Sequence, residues 1–385
     1  MQPLRFATAG SVDDGKSTLI GRLLYDARAL QEDQLAAVER ASQRRGAEGL
    51  DLSLVTDGLE AEREQGITID VAYRYFATPT RKFIIADSPG HEQYTRNMAT
   101  GASNADAIVL LVDATKGLLP QTRRHLEIAR LLGIRQAVAF VNKMDLVGYS
   151  RDVFDRLELA GLEAIPGSAL RGDMVVERGP ALDWYHGPTL LERLEGFHAG
   201  AEEASAGPLR FPVQLVSRPQ AGVPRGYMGR IESGHVLAGA PVALFPSGRK
   251  SIVRKILAHG TERDIAVAGD SVTLVLTDDV DLARGDLIAD AALPPREARL
   301  LDATLVWLGH EPLRPGGRYV VQQSVRRAFA RVTAEAPLAL NDIGQAQLAL
   351  HAPLFVDPYD LVRATGALIL IDEATNHTVA AGLVR

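Results

Sequence analysis

Gly10-Ser-Val-Asp-Asp-Gly-Lys-Ser17 matches the pattern G-x-x-x-x-G-K-[ST], and this stretch decides the fold of the first half of the chain. The apolar run before it, residues 4 to 9, predicts a strand, and residues 18 to 25 after it predict a helix. A strand that leads through a glycine-rich turn into a helix directs several backbone N–H groups and the positive end of the helix towards one point. The stretch therefore predicts a binding loop for the phosphates of a nucleoside triphosphate, and this context argues against a chance glycine turn.

Two side chains of this loop carry the predicted chemistry. In such loops the lysine, here Lys16, reaches the β- and γ-phosphates, and the hydroxyl that follows it, here Ser17, is a ligand for Mg²⁺. Glycines let the backbone lie close to phosphate without a side-chain clash. The predicted nucleotide contacts of the loop are Gly10, Ser11, Val12, Asp13, Asp14, Gly15, Lys16, Ser17 and Thr18.

The tetrapeptide Asn142-Lys143-Met144-Asp145 follows an apolar strand at 138 to 141 and indicates which base is bound. The Asp145 carboxylate can accept two hydrogen bonds from guanine, at N1–H and at the exocyclic amine, and adenine has no such pair of donors. Because sites built around a required hydrogen bond discriminate by about 10⁴–10⁵, the sequence predicts GTP rather than ATP. Taken alone, the tetrapeptide also fits an ordinary strand-end turn with Asn as a cap.

The other predicted base contacts lie around that carboxylate. The Lys143 stem would lie along the guanine ring, Asn142 would brace neighbouring loops, and backbone N–H groups of Ser168-Ala169-Leu170 would meet the guanine carbonyl. The predicted contacts to the base are Asn142, Lys143, Met144, Asp145, Ser168, Ala169 and Leu170.

Two further segments are predicted to respond to the γ-phosphate. A strand at 83 to 86 ends in Asp87-Ser-Pro-Gly-His91, the D-x-x-G form, in which Asp87 would hold Mg²⁺ through a water and the Gly90 amide would contact the γ-phosphate. His91 would orient the attacking water, although by itself it also fits a solvated histidine on a helix. Thr68 would close over Mg²⁺ and the γ-phosphate, although Gly66-Ile-Thr alone is also ordinary edge-strand sequence.

These segments complete the predicted site. The nucleotide contacts expected here are Asp87, Ser88, Pro89, Gly90 and His91. The expected metal ligands are Ser17, Thr68 and, through water, Asp87, and the expected catalytic groups are His91, Lys16, Thr68 and Gly90.

Composition excludes several classes of protein. The formal charge of −6 over 385 residues disfavours a dedicated polyanion binder, so we expect no nucleic-acid partner. The absence of cysteine excludes disulfides, thiolate metal sites and cysteine nucleophiles. No signal peptide opens the sequence, and apolar runs such as 107 to 112 are too short to span a membrane. We therefore expect a cytoplasmic protein with no membrane partner.

The pattern of apolar runs changes near residue 205. Before it, strands alternate with helical segments, which predicts a mostly parallel sheet with helices on both faces. After it, short strand-like runs are separated by Gly, Pro and Asp turns, which predicts two small antiparallel β-barrels. The expected fold class is an α/β P-loop GTPase domain followed by these barrels, with domains at 1–205, 206–295 and 296–385. Residues 26 to 54 have a composition that allows a solvated helix.

Together these segments resemble the translation-factor-type GTPases, and the stretch from Arg225 to Gly234 resembles part of that group's second domain. Within the group, the stretch from Asp57 to Phe76 resembles the GTPase subunit (CysN-type) of bacterial heteromeric sulfate adenylyltransferase. The same likeness extends over His91 to Ser103, Ser168 to Asp173 and Arg363 to Asn376, so the resemblance covers essentially the whole chain.

The resemblance implies a partner and a coupled reaction. In that family a small catalytic subunit (CysD-type) joins ATP and sulfate into adenosine 5′-phosphosulfate and pyrophosphate, and GTP hydrolysis on the large subunit is coupled to this uphill step. The adenylyl-transfer site would then lie on the partner. Longer relatives carry a C-terminal adenylylsulfate kinase, and since no second phosphate-binding loop is present, we expect no kinase activity here.

Two departures from the family pattern and two alternatives accompany this interpretation. The stretch between Asp145 and Ser168 is shorter than usual, and Met174 stands where an asparagine is expected, which would affect the far wall of the base pocket or a partner-facing surface. A translation factor that carries aminoacyl-tRNA shares every nucleotide motif, so these motifs do not exclude it. A scaffold with a vestigial site is disfavoured because all the motif residues are present.

Overall fold

The computed structural model describes residues 3–44, 49–56, 71–91, 94–199, 204–217 and 225–385. The chain divides into two compact units, Met1–Ala199 and Gly200–Arg385, which we describe separately. The predicted contact Thr68 and the stretch around it lie outside the described residues.

In the described part of the first unit, a central sheet holds six strands in the order β2-β3-β1-β4-β5-β6. The strands are β1 (Leu4–Ala9), β2 (Ala72–Ala77), β3 (Lys82–Asp87), β4 (Ala107–Asp113), β5 (Gln136–Asn142) and β6 (Glu163–Pro166). β2 is antiparallel to β3, and the other pairings are parallel. Every residue of β4 is buried, as expected for a parallel strand covered on both faces. The carboxyl ends of β1, β3, β4 and β5 therefore meet at one edge of the sheet.

Helices cover this sheet. In the described residues they are α1 (Lys16–Asp26), α2 (Glu32–Arg44), α3 (Thr95–Ser103), α4 (Pro120–Leu131), α5 (Arg151–Asp155) and α6 (Leu190–Glu195). α1 buries Leu19, Ile20 and Leu23, which lie three and four residues apart on one helical face. α2 falls within the segment whose composition allows a solvated helix, and most of its residues are exposed or half-buried.

The first part of the second unit forms a barrel. Its strands are β7 (Arg210–Ser217), β8 (Gly226–Arg230), β9 (His235–Leu237), β10 (Pro241–Phe245), β11 (Arg249–Ala258), β12 (Thr261–Arg263), β13 (Ile265–Val267), β14 (Ser271–Leu276) and β15 (Leu287–Asp290). In the described residues the order β10-β15-β7-β8-β14-β11 closes because β10 also pairs with β11. Phe211, Tyr227 and Ile256 lie in its core.

The second barrel contains β16 (Arg296–Trp307), β17 (Gly317–Gln323), β18 (Arg326–Ala334), β19 (Ile343–Val356), β20 (Ala367–Asp372) and β21 (Thr378–Val384), with the short helix α7 (Arg363–Gly366). The strands close in the order β16-β19-β18-β17-β20-β21. Buried and exposed positions alternate along β18, as the period of a strand requires when one face is packed. The expected fold class is confirmed, and the boundaries at 205 and 295 stay a prediction.

A buried ion pair joins the two barrels. Arg210, at the start of β7, is 1% exposed and binds both carboxylate oxygens of Asp357, at 2.7 Å from Nε to Oδ2 and 2.8 Å from Nη2 to Oδ1. The Thr365 hydroxyl donates to Oδ2 of the same carboxylate at 2.6 Å. The pair is therefore bidentate and further hydrogen-bonded, which is the geometry in which a buried charge pair is tolerated.

We expect Asp357→Ala to destabilise the second unit by about 3–5 kcal/mol, because the Arg210 charge is then buried without compensation. Glu373→Ala is the matched control, since it breaks the exposed pair with Arg318 and should leave stability unchanged. Urea unfolding followed by tryptophan fluorescence measures both, in a Trp184→Phe background that leaves Trp307 as the reporter of the second unit. Equal unfolding midpoints for the two variants would contradict a stabilising role for the pair.

Candidate nucleotide-binding site

The phosphate loop connects β1 to α1, as the pattern predicts. Gly15 has φ 93° and ψ 28°, a left-handed conformation that favours glycine, and α1 begins at the next residue. A Cβ on Gly15 would collide with the side-chain amide of Asn142. A Cβ on Gly10 would lie 2.9 Å from the carbonyl oxygen of Leu111. Both positions therefore require glycine for close approach of neighbouring chain segments.

Lys16 is folded over the loop that precedes it. Its side chain is buried, and Nζ donates to the carbonyl oxygens of Ser11 at 2.7 Å and Gly10 at 3.2 Å. Burial lowers the pKa of Lys16, and the nearby carboxylates of Asp14 and Asp87 oppose that effect. An ammonium group held near the loop by two carbonyl oxygens is positioned to exchange them for phosphate oxygens, which are stronger acceptors.

The rest of the loop is arranged around this lysine. Oδ2 of Asp14 accepts the Ser11 N–H at 2.7 Å, and burial raises the pKa of this carboxyl although the Ser11 amide opposes the shift. Val12 and Asp13 are exposed, whereas Ser17 and Thr18 are half-buried at the start of α1.

The D-x-x-G segment lies directly on the phosphate loop. A Cβ on Gly90 would collide with Nζ of Lys16 and would lie 3.0 Å from the carbonyl oxygen of Gly10, so a side chain there would displace the lysine. Asp87 ends β3 and is buried together with Ser88 and Pro89. The structure therefore brings the predicted γ-phosphate sensor and the predicted phosphate-binding lysine into contact.

His91 follows at the edge of this group. It is half-buried, and its ring lies 6.1 Å from that of Tyr94 in an edge-to-face arrangement. The two residues between them lie outside the described part of the chain. The water-orienting role of His91 stays a prediction.

Asn142 connects the phosphate loop to the predicted base loop. Its Nδ2 donates to the carbonyl oxygen of Asp14 at 2.7 Å, and its Oδ1 accepts the N–H of Ala169 at 2.8 Å. Asn142 is buried, so both hydrogen bonds are shielded from water. A single amide side chain thus fixes the distance between the segment expected to hold phosphate and the segment expected to hold the base.

The remaining residues of the predicted base loop follow Asn142 at the carboxyl end of β5. Lys143 has φ 63°, and its Nζ lies 2.8 Å from Oδ2 of Asp113 at the end of β4. Burial would raise the pKa of Asp113, but hydrogen bonds from Lys143 and Thr115 outweigh it and lower the pKa. Met144 is buried, whereas Asp145 is half-buried, and both lie in a short 3₁₀ helix, Met144–Val147.

The Ser168-Ala169-Leu170 segment is already hydrogen-bonded within the protein. The N–H of Ser168 donates to the carbonyl oxygen of Asp173 at 3.1 Å, and that of Ala169 donates to Asn142. A guanine carbonyl would share these donors or meet the N–H of Leu170, whose side chain is exposed. Arg22 on α1 fixes the segment from behind by donating to the carbonyl oxygens of Ala169 and Leu170, at 3.3 and 2.7 Å.

Aromatic side chains pack against the short stretch after Asp145. α5 has only five residues, and Phe154 packs on Trp184 with ring centroids 5.5 Å apart. Trp184 Nε1 donates to the carbonyl oxygen of Tyr149 at 2.9 Å. Met174 is 1% exposed and belongs to the core of the first unit, so the departure at this position does not lie on a partner-facing surface.

Sequence reasoning missed several residues that support the site. They are Arg22, Asp113, Gln121, Thr122 and His125. Asp113 had a usable signal, because a carboxylate at the carboxyl end of a buried parallel strand faces the same edge as Asp87. Burial lowers the pKa of His125 to about 3 with a smaller contribution from Lys16, so this ring is neutral and accepts a hydrogen bond from Gln121 at 2.8 Å.

The donor chemistry fits a nucleotide with Mg²⁺. Mg²⁺ keeps several waters and takes one or two carboxylates together with substrate phosphates, so a cage of several protein ligands is not needed. The described residues contain no cluster of three or more His, Asp or Glu side chains able to hold a metal by themselves. None of the helices in the described part of the chain combines the length and apolar character that a membrane crossing needs.

Two family models match this chain, one in its first half and one near its carboxyl terminus. Residues 2–196 match the family model described as the elongation factor Tu GTP binding domain, and residues 300–385 match the GTP-eEF1A C-terminal domain-like model. Among solved structures, the crystal structure of bacterial selenocysteine-specific elongation factor EF-Sec aligns with a TM-score of 0.48 and 26% identity. That alignment covers 100% of this chain and 58% of the longer one.

Curated relatives match almost the whole chain. Sulfate adenylyltransferase subunit 1 of Aeromonas hydrophila is 48% identical over 99% of this chain and 86% of its own length. The proteins of the same name from Aeromonas salmonicida and Laribacter hongkongensis are 47% and 48% identical over 99% of this chain, covering 86% and 85% of their own lengths. The resemblance seen in the motifs is thereby confirmed, and the chain belongs to the sulfate adenylyltransferase subunit 1 family, in which its first unit is a GTP-binding domain of the elongation factor Tu type.

Proposed function

We propose that this chain hydrolyses GTP and couples that hydrolysis to the formation of adenosine 5′-phosphosulfate and pyrophosphate from ATP and sulfate. The adenylyl transfer itself takes place on a separate small catalytic subunit (CysD-type). The observation that carries this proposal is the identity of 48% over 99% of the chain with proteins named sulfate adenylyltransferase subunit 1. The translation-factor alternative shares the nucleotide motifs but has no relative of comparable identity among those described above.

The site supplies the groups that GTP hydrolysis needs. Lys16 exchanges its two loop carbonyls for oxygens of the β- and γ-phosphates, and Asp145 accepts the guanine donors. Ser17 and Asp87, the latter through water, would hold Mg²⁺, which neutralises charge on the phosphates when bound. His91 orients a water for attack on the γ-phosphorus; the bond from that phosphorus to the bridging oxygen breaks, and GDP and phosphate leave.

The contact between Gly90 and Lys16 is the basis of coupling. Gly90 lies next to Nζ of Lys16, so a move of this ammonium towards a γ-phosphate would take place directly beside the D-x-x-G segment. A ligand biases a two-state element only through contacts that differ between the states. The γ-phosphate makes such a differential contact here, and the segment that follows Gly90 is the part of this chain that a partner subunit would sense.

The test is GTP turnover by this chain mixed with the small subunit, with and without ATP and sulfate. We expect slow turnover alone, of about 10⁻⁴–10⁻² s⁻¹ as for other unassisted GTPases of this class, and a rise only when both substrates are present, together with pyrophosphate release. His91→Ala tests whether the turnover comes from this site. GTP affinity should be kept, while turnover falls by about 10²-fold or more, which is within the range for loss of a group that positions a proton transfer.

Other outcomes would redirect the assignment. Turnover indifferent to ATP and sulfate but stimulated by ribosomes and aminoacyl-tRNA would support the translation-factor alternative. Unchanged turnover in His91→Ala would remove His91 from the mechanism while leaving the coupling intact. A cytoplasmic location and the absence of a nucleic-acid partner remain predictions from the sequence.

A further inference from the structure

Ser11 is one of the residues through which the phosphate loop is attached to the rest of the first unit. Its N–H donates to Oδ2 of Asp14 at 2.7 Å, and its carbonyl oxygen accepts Nζ of Lys16 at 2.7 Å. Its hydroxyl lies 2.9 Å from the hydroxyl of Thr122, which is 111 residues away in sequence. The first two contacts stay within the loop, and the third reaches a different element.

Thr122 belongs to a part of the unit that is well fixed. It is the third residue of α4, which begins with Pro120, a residue whose preset φ suits the first turn of a helix. Leu126 and Ile128 of the same helix are buried in the unit, and Thr122 itself is 1% exposed. The hydroxyl of Thr122 therefore has a defined position before any nucleotide binds.

The loop that it contacts is conformationally permissive by comparison. Gly15 and Asp13 have positive φ, at 93° and 64°, and the side chains of Val12 and Asp13 are exposed. The exposed side chains of Val12 and Asp13 thus add little packing to the middle of the loop, and the hydrogen bond from Asn142 fixes the carbonyl of Asp14 rather than Ser11. The buried pair of hydroxyls fixes one point of this loop. If the two hydroxyls separated, each would be buried without a hydrogen-bond partner, which is unfavourable.

We propose that Thr122 is a positioning residue for nucleotide binding: its hydroxyl holds Ser11 so that the loop keeps its shape when Lys16 leaves the Ser11 carbonyl for phosphate. This inference rests on the proposed GTP site and adds to it a residue that no motif includes. Without the anchor, release of Lys16 leaves Ser11 held, among the described residues, by Asp14, through Oδ2 at 2.7 Å and through a long hydrogen bond from its N–H at 3.5 Å.

We expect Thr122→Val to raise the dissociation rates of GDP and GTP by about tenfold, because the Ser11 hydroxyl is then buried without a partner. Thr122→Ser keeps the hydroxyl and should restore rates close to those of the unchanged chain. Thr100→Val on α3 is the matched control, since the Thr100 hydroxyl bonds the carbonyl oxygen of Arg96 within its own helix and is exposed. Stopped-flow release of fluorescent N-methylanthraniloyl GDP and GTP measures both rates for the three variants and for the unchanged chain.

A double-mutant cycle separates positioning from general destabilisation. Ser11→Ala with Thr122→Val removes both hydroxyls and leaves no buried group unpaired, so its dissociation rate should be lower than the product of the two single effects predicts. If the pair serves stability alone, Thr122→Val lowers the unfolding temperature of the nucleotide-free chain without changing nucleotide release, and the proposal fails. If the unchanged chain releases no labelled GTP because it binds none, the proposed function fails as well, so the two failures are distinguishable.

Discussion

Lys16→Ala is expected to abolish detectable GTP binding. In the structure Nζ of Lys16 donates hydrogen bonds to two backbone carbonyls of its own loop. Its charge is buried and lies near Asp14 and Asp87. In the complex this ammonium would make charge-assisted hydrogen bonds to at least two phosphate oxygens, each worth about 1.5–3 kcal/mol. Loss of both corresponds to a fall in affinity of about 10²–10⁴.

Lys82→Ala is the control for this experiment, because Lys82 is an exposed lysine of the same unit at the start of β3. Isothermal titration with GTP and Mg²⁺ measures both variants against the unchanged chain. The apo form of Lys16→Ala should unfold at a temperature no lower than that of Lys82→Ala, because the substitution removes a desolvated cation. Tight GTP binding by Lys16→Ala would contradict the assignment of this loop to phosphate.

The local parts of the site are those that sequence predicts well. The pattern from Gly10 to Ser17 specifies a strand, a turn and a helix through its own residues, and the structure has β1 and α1 on either side of it. The helix is three residues longer than the predicted 18 to 25, and its first two residues, Lys16 and Ser17, belong to the pattern itself. The mostly parallel sheet and the two barrels also follow from periodicities within single segments.

The contacts that fix the site are mostly non-local, and a single sequence does not encode them visibly. The Ser11–Thr122 pair spans 111 residues and the Arg210–Asp357 pair spans 147. Each depends on which strands become neighbours in space, not on spacing along the chain. The strands β9, β12 and β13 have three residues each, which is too short for a period in the sequence to predict them. The expectation that Asn142 braces neighbouring loops could be made from the sequence. Asn142 ends a parallel strand, and the loops that follow parallel strands lie at the same edge of the sheet.

Asp145→Asn is expected to shift the preference of the site from guanine towards xanthine nucleotides. A carboxylate accepts hydrogen bonds from N1–H and the exocyclic amine of guanine, whereas xanthine carries a carbonyl where guanine carries that amine. An amide N–H at residue 145 can donate a hydrogen bond to that carbonyl of xanthine. The same N–H would face the exocyclic amine of guanine, which is also a donor, so no hydrogen bond forms there. Because Asp145 is half-buried, the mismatch is only partly relieved by water, and the ratio of GTP to XTP affinity should change by about 10⁴-fold or more.

The neighbouring geometry makes this substitution a clean one. The turn that carries residue 145 is fixed by Asn142 and by the Lys143–Asp113 pair, neither of which involves the Asp145 side chain. Asp152→Asn, at an exposed carboxylate on α5, is the matched control for the change of charge. Competition of GTP, XTP and ATP against labelled GDP gives the three affinities for each variant. If Asp145→Asn retained GTP selectivity, the base would be read by other groups, and the N-K-x-D segment would be only the strand-end turn that its residues also allow.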